Sequence, residues 1–196
     1  MYQLSVNELY NPKLQQSVPL PEHLWKERHF YTFYLPFLRL AKQWASQNPR
    51  WSVCISPEAE ADVLTGLLNR LEAVCLRTLI VEIQFCKAGG VLGNGDSTEQ
   101  YGQFVEGYLR DRDQMIAFWQ AYPYLYEVVL GEVERYVDFV EEILGHFAQD
   151  RKELADCFGR GEDICRIHHL QMDRGDIHGE GRSVTELELD GGMRLF

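Results

Sequence analysis

One stretch of the chain carries residue types at a spacing that can do chemistry: Arg174-Gly175-Asp176-Ile177-His178-Gly179-Glu180-Gly181-Arg182-Ser183-Val184. A carboxylate and an imidazole stand two residues apart. In an extended backbone, side chains at i and i+2 point the same way, so Asp176 and His178 can act on one bound group. Imidazole is the side chain whose unperturbed titration falls near neutrality, which suits it to carry a proton. Gly179 and Gly181 allow close backbone approach, so that N–H groups can face a phosphate, and Arg182 can neutralise it. The plain alternative is a polar hairpin loop holding a solvated histidine, and spacing alone leaves both readings open.

Other chemical signals are weaker. His168 and His169 are adjacent, and neighbours on a strand face opposite sides, so one metal site cannot easily use both. The glycines between 89 and 95 follow an apolar run but lack the G-x-G-x-x-G order of a dinucleotide fingerprint, and no G-x-x-x-x-G-K-[ST] occurs. The five cysteines (Cys54, Cys75, Cys86, Cys157 and Cys165) are odd in number, irregularly spaced and without a C-x-x-C. They read as buried, reduced thiols in a cytosolic protein rather than a disulfide frame or a zinc site.

The elements that must position the motif follow from periodicity. Pro12, Pro19 and Pro21 make residues 1–23 read as an irregular arm. Apolar residues from 24 to 44 keep a helical period, with a kink or restart expected at Pro36. Ser56-Pro57-Glu58 is an N-cap, a first-position proline and an early acid, and starts a helix through Leu64, Leu71 and Cys75. Residues 78–85 have the β-branched content of a strand, yet Leu79, Glu82, Ile83 and Cys86 keep helical spacing; they are read as helix. Two shorter helices follow at 98–109 and 114–121. From Pro123 a long amphipathic helix should reach about Cys157, with Val129, Val133, Tyr136, Val140, Leu144 and Phe147 on one stripe. The period then changes: Ile164, Ile167 and Leu170 look extended, residues 183–189 alternate strictly, and Asp190-Gly191-Gly192 is a hairpin turn leading to Met193-Arg194-Leu195-Phe196.

Composition bounds the partners. The chain has 196 residues, 45% hydrophobic and 25% charged, enough for a substantial core and near the globular average. With 19 Lys plus Arg against 30 Asp plus Glu, the net charge is −11, which opposes non-specific nucleic-acid binding. No apolar run approaches the roughly 20 residues of a membrane span. The N-terminus has neither a basic nor an apolar signal region, so a cytoplasmic location is expected.

The pattern G-D-x-H-x-x-G-R-S-V followed by a hairpin resembles the motif in the dehydratase domain of class II lanthipeptide (lantibiotic) synthetases. Upstream patches match in order: Phe30-Tyr31 with Leu35-Pro36-Phe37, Arg77-Thr78-Leu79 with Glu82, Phe104-Val105-Glu106, Tyr122-Pro123, and Asp150-Arg151 before Leu154. The resemblance spans the chain from about residue 25 onward. It implies a domain similar to lipid kinases that uses ATP and Mg2+ to phosphorylate Ser and Thr of a precursor peptide and then eliminates the phosphate, leaving dehydroamino acids. Asp176 and His178 match residues needed for that chemistry, and Gly175, Gly181 and Arg182 match the phosphate-side loop.

This sequence departs from the family pattern. Ile177 replaces a small Ser, and Gly179-Glu180 replaces a polar residue and Gly, with an acid that would repel phosphate if it pointed inward. The family's lysine-bearing strand, later magnesium ligands and zinc cyclase domain do not occur within the 196 residues. The expectation is therefore a mainly α chain with a C-terminal partial β-sheet. An arm (1–23) and a helical region (24–160) lead into the first hairpin of an incomplete kinase-like lobe (161–196). Such a chain should be inactive alone and hold ATP and Mg2+ weakly. Its partners would be a precursor peptide and a second polypeptide or downstream domain. The alternative is a non-catalytic helical module, derived from the same family, that binds a peptide or protein.

Overall fold

The computed structural model describes residues 4–159, 163–176, 179 and 182–196. Helices α1 (Val6–Leu9), α2 (Pro12–Ser17), α3 (Tyr31–Ala45), α4 (Pro49–Cys54), α5 (Pro57–Ala88), α6 (Ser97–Glu106), α7 (Arg112–Ala121) and α8 (Pro123–Phe158) precede strands β1 (Ile167–Gln171), β2 (Glu186–Leu189) and β3 (Arg194–Leu195). The chain is mainly α with a small antiparallel sheet at its C-terminal end. Among the described residues, no helix is long and apolar enough to cross a membrane.

Local signals account for most boundaries. The Ser56 hydroxyl accepts the Ala59 N–H at 3.2 Å, and Glu58 and Glu60 in the first turn complement the helix dipole. Residues 78–85 continue α5, and Leu79, Ile83 and Cys86 are its buried stripe there. Asp96 and Glu99 form a capping box at the start of α6, and Asp111 caps α7. Proline at the first position of α8 costs no hydrogen bond.

Three expectations are corrected. Residues 4–23 are not an irregular arm: Ser5 and Glu8 form a capping box on α1, Asn11 caps α2 ahead of Pro12, and Leu9 is fully buried. Helix α3 begins at Tyr31 rather than near residue 24, and it runs through Pro36 without a restart. Phe33, Phe37, Leu38 and Leu40 around that proline are essentially fully buried, and their burial outweighs the roughly 3 kcal/mol that an interior proline costs. Of the five free cysteines only Cys54, Cys75 and Cys86 are buried; Cys157 and Cys165 are exposed.

The chain divides into two compact units. The first holds Met1–Leu40 and Leu68–Gly131. Its core is aromatic: Trp119 lies 5.1 Å from Phe33, 5.5 Å from Phe37, 4.9 Å from Phe118 and 5.3 Å from Tyr126 between ring centroids. The Trp119 indole N–H donates to Tyr10 Oη at 3.2 Å, so the polar edge of the largest core residue is satisfied. Phe30 enters α3 with φ of 53°, a left-handed conformation that costs a non-glycine residue about 1–2 kcal/mol. Packing against Tyr101 and Phe104, and donation of its N–H to Tyr101 Oη, hold it there.

The second unit holds Ala41–Leu67 and Glu132–Phe196. Tyr136 of α8 is fully buried and donates to the Val63 carbonyl at 2.8 Å. Gly66 makes this approach possible, because a Cβ there would collide with the Tyr136 hydroxyl. The sheet order is β1-β2-β3, with Leu170 opposite Leu187 and Glu188 opposite Arg194. Gly191 and Gly192 take φ of 72° and 75° in the β2–β3 turn, which glycine adopts without steric cost.

Candidate functional site

The motif occupies the connection between β1 and β2, within the second unit. Its base is built first. Strand β1 is anchored by the segment that starts α5: Ser56 N–H donates to the Ile167 carbonyl at 2.9 Å, and its hydroxyl donates to the His168 carbonyl at 3.2 Å. One α5 turn further on, Asp62 Oδ2 pairs with His169 Nδ1 at 2.8 Å and accepts the Leu170 N–H at 3.2 Å. On the other side of the doublet, His168 Nε2 meets Asp190 Oδ1 at 2.7 Å. Asp190 Oδ2 accepts the N–H groups of Cys165 and Arg166 at 2.6 and 2.7 Å. Burial works against the Asp190 charge, but the bonds from His168 and the two backbone amides outweigh it and hold the carboxyl below the usual carboxylate range. The two histidines thus serve separate carboxylates, at a point where the β1–β2 register shifts between Ile167 and His169.

The loop leaves β1 through Asp173, whose φ is 62° and whose N–H donates to Ser183 Oγ at 2.9 Å. Arg174 N–H donates to the Val184 carbonyl at 3.1 Å and closes the loop's neck. The Arg174 guanidinium reaches along the sheet to Glu186 at 2.9 Å. Gly175 lies against Val184, where a Cβ would come within 3.3 Å of a methyl group. Asp176 is exposed beyond this neck, so a group in solution can reach its carboxylate. His178 and Gly181 lie outside the described residues, and so does any test of whether Asp176 and His178 face one way.

Arg182 returns toward β2 and pairs through Nε with Glu142 of α8 at 2.9 Å. Both line a concave pocket of about 400 Å³ with Arg135, Asp138 and Phe139. Burial and the neighbouring Glu134 push the Asp138 carboxyl above its ordinary range. Of the predicted phosphate-side residues, Gly175 therefore forms the neck of the loop, while the Arg182 cation is engaged by an acid on α8.

Residues 122–196 match the family model of a domain of unknown function, DUF4135. That domain is found in LanM-type lanthipeptide synthetases, the class to which the motif resemblance points. The matched segment contains α8, all three strands and every residue of the candidate loop. No curated protein matches the chain.

Asp62 and Asp190 fix the strand carrying the loop; sequence reasoning passes over Asp62 and reads Asp190 only as part of the hairpin turn. The only signal for them is the His168-His169 doublet, two imidazoles that each call for a polar partner. Neither partner is near enough along the chain for spacing to name it.

Proposed function

We propose that the chain contributes part of a lanthipeptide-synthetase dehydratase, which phosphorylates Ser and Thr hydroxyls of a precursor peptide and eliminates the phosphate to leave dehydroamino acids. One observation carries this reading: the family match covers the segment in which Gly175-Asp176, His178 and Gly181-Arg182 stand in motif order between two paired strands. Asp176 and His178 are assigned to the reaction jointly, with proton transfer as the chemistry suited to a carboxylate and an imidazole. A cytoplasmic location belongs to the same reading.

ATP and Mg2+ are what such phosphoryl transfer would need, and it works by convergence of several charged groups on the phosphates. The described residues do not fit that requirement by themselves. Among them no three metal-ligating side chains are grouped, Asp176 is a single exposed carboxylate, and Arg182 is engaged by Glu142. No step through the nucleotide is therefore assigned to these side chains. The experiment combines this chain with a downstream dehydratase segment of a lanthipeptide synthetase and its precursor peptide, ATP and Mg2+. Mass spectrometry should show water lost from the peptide with both polypeptides present and none with either alone. Peptide binding by this chain with no dehydration in any combination would replace the reading with that of a binding module.

A further inference from the structure

Helix α5 departs from the usual division of a surface helix in its second half, which belongs to the first unit. Between Ala73 and Ala88, the residues Cys75, Leu79, Ile83 and Cys86 form the buried stripe. The opposite side of such a helix is ordinarily polar. Here six of the eight exposed residues are apolar: Ala73, Leu76, Ile80, Val81, Phe85 and Ala88. Phe85 is 64% exposed, Val81 48% and Ile80 47%. Helix α8 shows the ordinary pattern, since each of its exposed residues from 135 to 156 is polar or charged. A helix segment that is apolar all round belongs in a buried setting, and a contiguous exposed apolar face marks an interaction surface.

The order of residues on this face says what it fits. They are arranged symmetrically about the point between Ile80 and Val81. Counting outward, Ile80 is matched by Val81, Arg77 by Gln84, Leu76 by Phe85 and Ala73 by Ala88. Two antiparallel α5 helices related by a two-fold axis at that point bring each residue against its match in the other copy. That is the self-complementarity an isologous contact requires. Branched and aromatic side chains meet at the centre, and alanines at both ends let the helix axes close to about 8–10 Å. The polar pair fits as well: the Arg77 guanidinium can donate to the Gln84 side-chain oxygen, and no cation opposes a cation.

Charge favours the same occupant. A chain with 30 acids against 19 bases repels its own copies over most of its surface. The two acids of this segment are drawn away from the face. Glu72 holds Arg28 at 3.1 Å, and Glu82 accepts the Tyr108 and Tyr122 hydroxyls at 2.8 and 3.1 Å. The exposed positions from Ala73 to Ala88 thus carry one cation, one amide and no carboxylate, while half-buried Lys87 at the edge is matched by Val74.

We propose that this face of α5 pairs with the same face of a second copy of the chain, the helices antiparallel about a two-fold axis between Ile80 and Val81. The pairing is independent of the reaction assigned to the β1–β2 loop.

The test is sedimentation velocity on the full chain over a concentration series. A single helix pair is at the small end of specific interfaces, so a monomer–dimer equilibrium in the micromolar range is expected. Ile80→Glu sets a carboxylate against Val81 of the second copy and should weaken self-association by about a hundredfold, and Val81→Lys should act likewise. Both positions are exposed in the single chain, and circular dichroism checks that each variant folds. The two variants mixed should associate again, because the new carboxylate then meets the new ammonium across the axis. A wild-type chain that stays monomeric up to about 1 mM, a dimer indifferent to either substitution, or no recovery in the mixture would overturn the proposal. So would a monomeric chain whose 73–88 face loses hydrogen exchange only on adding the downstream dehydratase segment, which would assign the face to that partner.

Discussion

The aromatic core of the first unit and the sheet of the second are held by different physics. Around Trp119, four aromatic partners lie within 5.5 Å between centroids, and their apolar surface is out of water. In the sheet, only Ile167, Leu170 and Leu189 are buried among the strand residues. Its position is set instead by polar pins: Asp62 on His169 and Leu170, Asp190 on His168 and two backbone amides, and Ser56 on β1. Apolar burial supplies stability without direction, whereas charge-assisted hydrogen bonds add less net energy but fix position. The candidate loop emerges from the pinned region, where placement matters most.

The contrast can be broken at either end. The largest effect is expected from Trp119→Ala, which should cost about 3–5 kcal/mol in denaturant unfolding through lost burial and the cavity left behind. A loss below about 1 kcal/mol would show that the aromatic cluster is not the stabilising centre of its unit.

A smaller, local effect is expected from Asp62→Asn. Hydrogen bonds to a charged group contribute about 1.5–3 kcal/mol when buried, but His169 and Asp62 side chains are 45% and 27% exposed, so solvent screening should leave about 1 kcal/mol. Hydrogen exchange should quicken at the Leu170 amide while amides of the aromatic core keep their protection. Uniform acceleration across both regions would mean that Asp62 supports global stability rather than the placement of β1.

The smallest effect is a pH dependence at Asp190. Its folded pKa lies below its unfolded value of about 3.9, so its contribution is complete above that value and is lost as pH falls through the folded pKa. The Cys165 and Arg166 amide resonances should therefore shift with a midpoint below about 3.9. A midpoint above that would mean the amides and His168 do not stabilise the ionised carboxylate.

What was legible in the sequence was local. Ser56-Pro57 and Pro123 mark the starts of the two longest helices, and the 79, 83, 86 spacing carries α5 through a stretch rich in β-branched residues. The Ser5–Glu8 capping box and Asn11-Pro12 are also present in the sequence, as local helix starts in a stretch that Pro12, Pro19 and Pro21 make look irregular. Pro36 failed as a helix breaker because its cost is local while the burial that overrides it is tertiary. Within the site, the loop and its hairpin were legible from glycines and alternation. The Asp62–His169, Asp190–His168 and Arg182–Glu142 pairs join residues 107, 22 and 40 positions apart, separations at which no periodicity operates.

The most direct test of the proposed chemistry is a paired measurement on Asp176→Asn and His178→Ala. Each variant is melted as the isolated chain and assayed for peptide dehydration when combined with the downstream dehydratase segment. Thermal unfolding should stay close to wild type, since polar residues of a loop seldom contribute more than about 0.5 kcal/mol. Dehydration should fall by roughly 10²-fold or more if either group moves a proton in the reaction. Dehydration at the wild-type rate by both variants would contradict the account and make the loop a solvated hairpin connection.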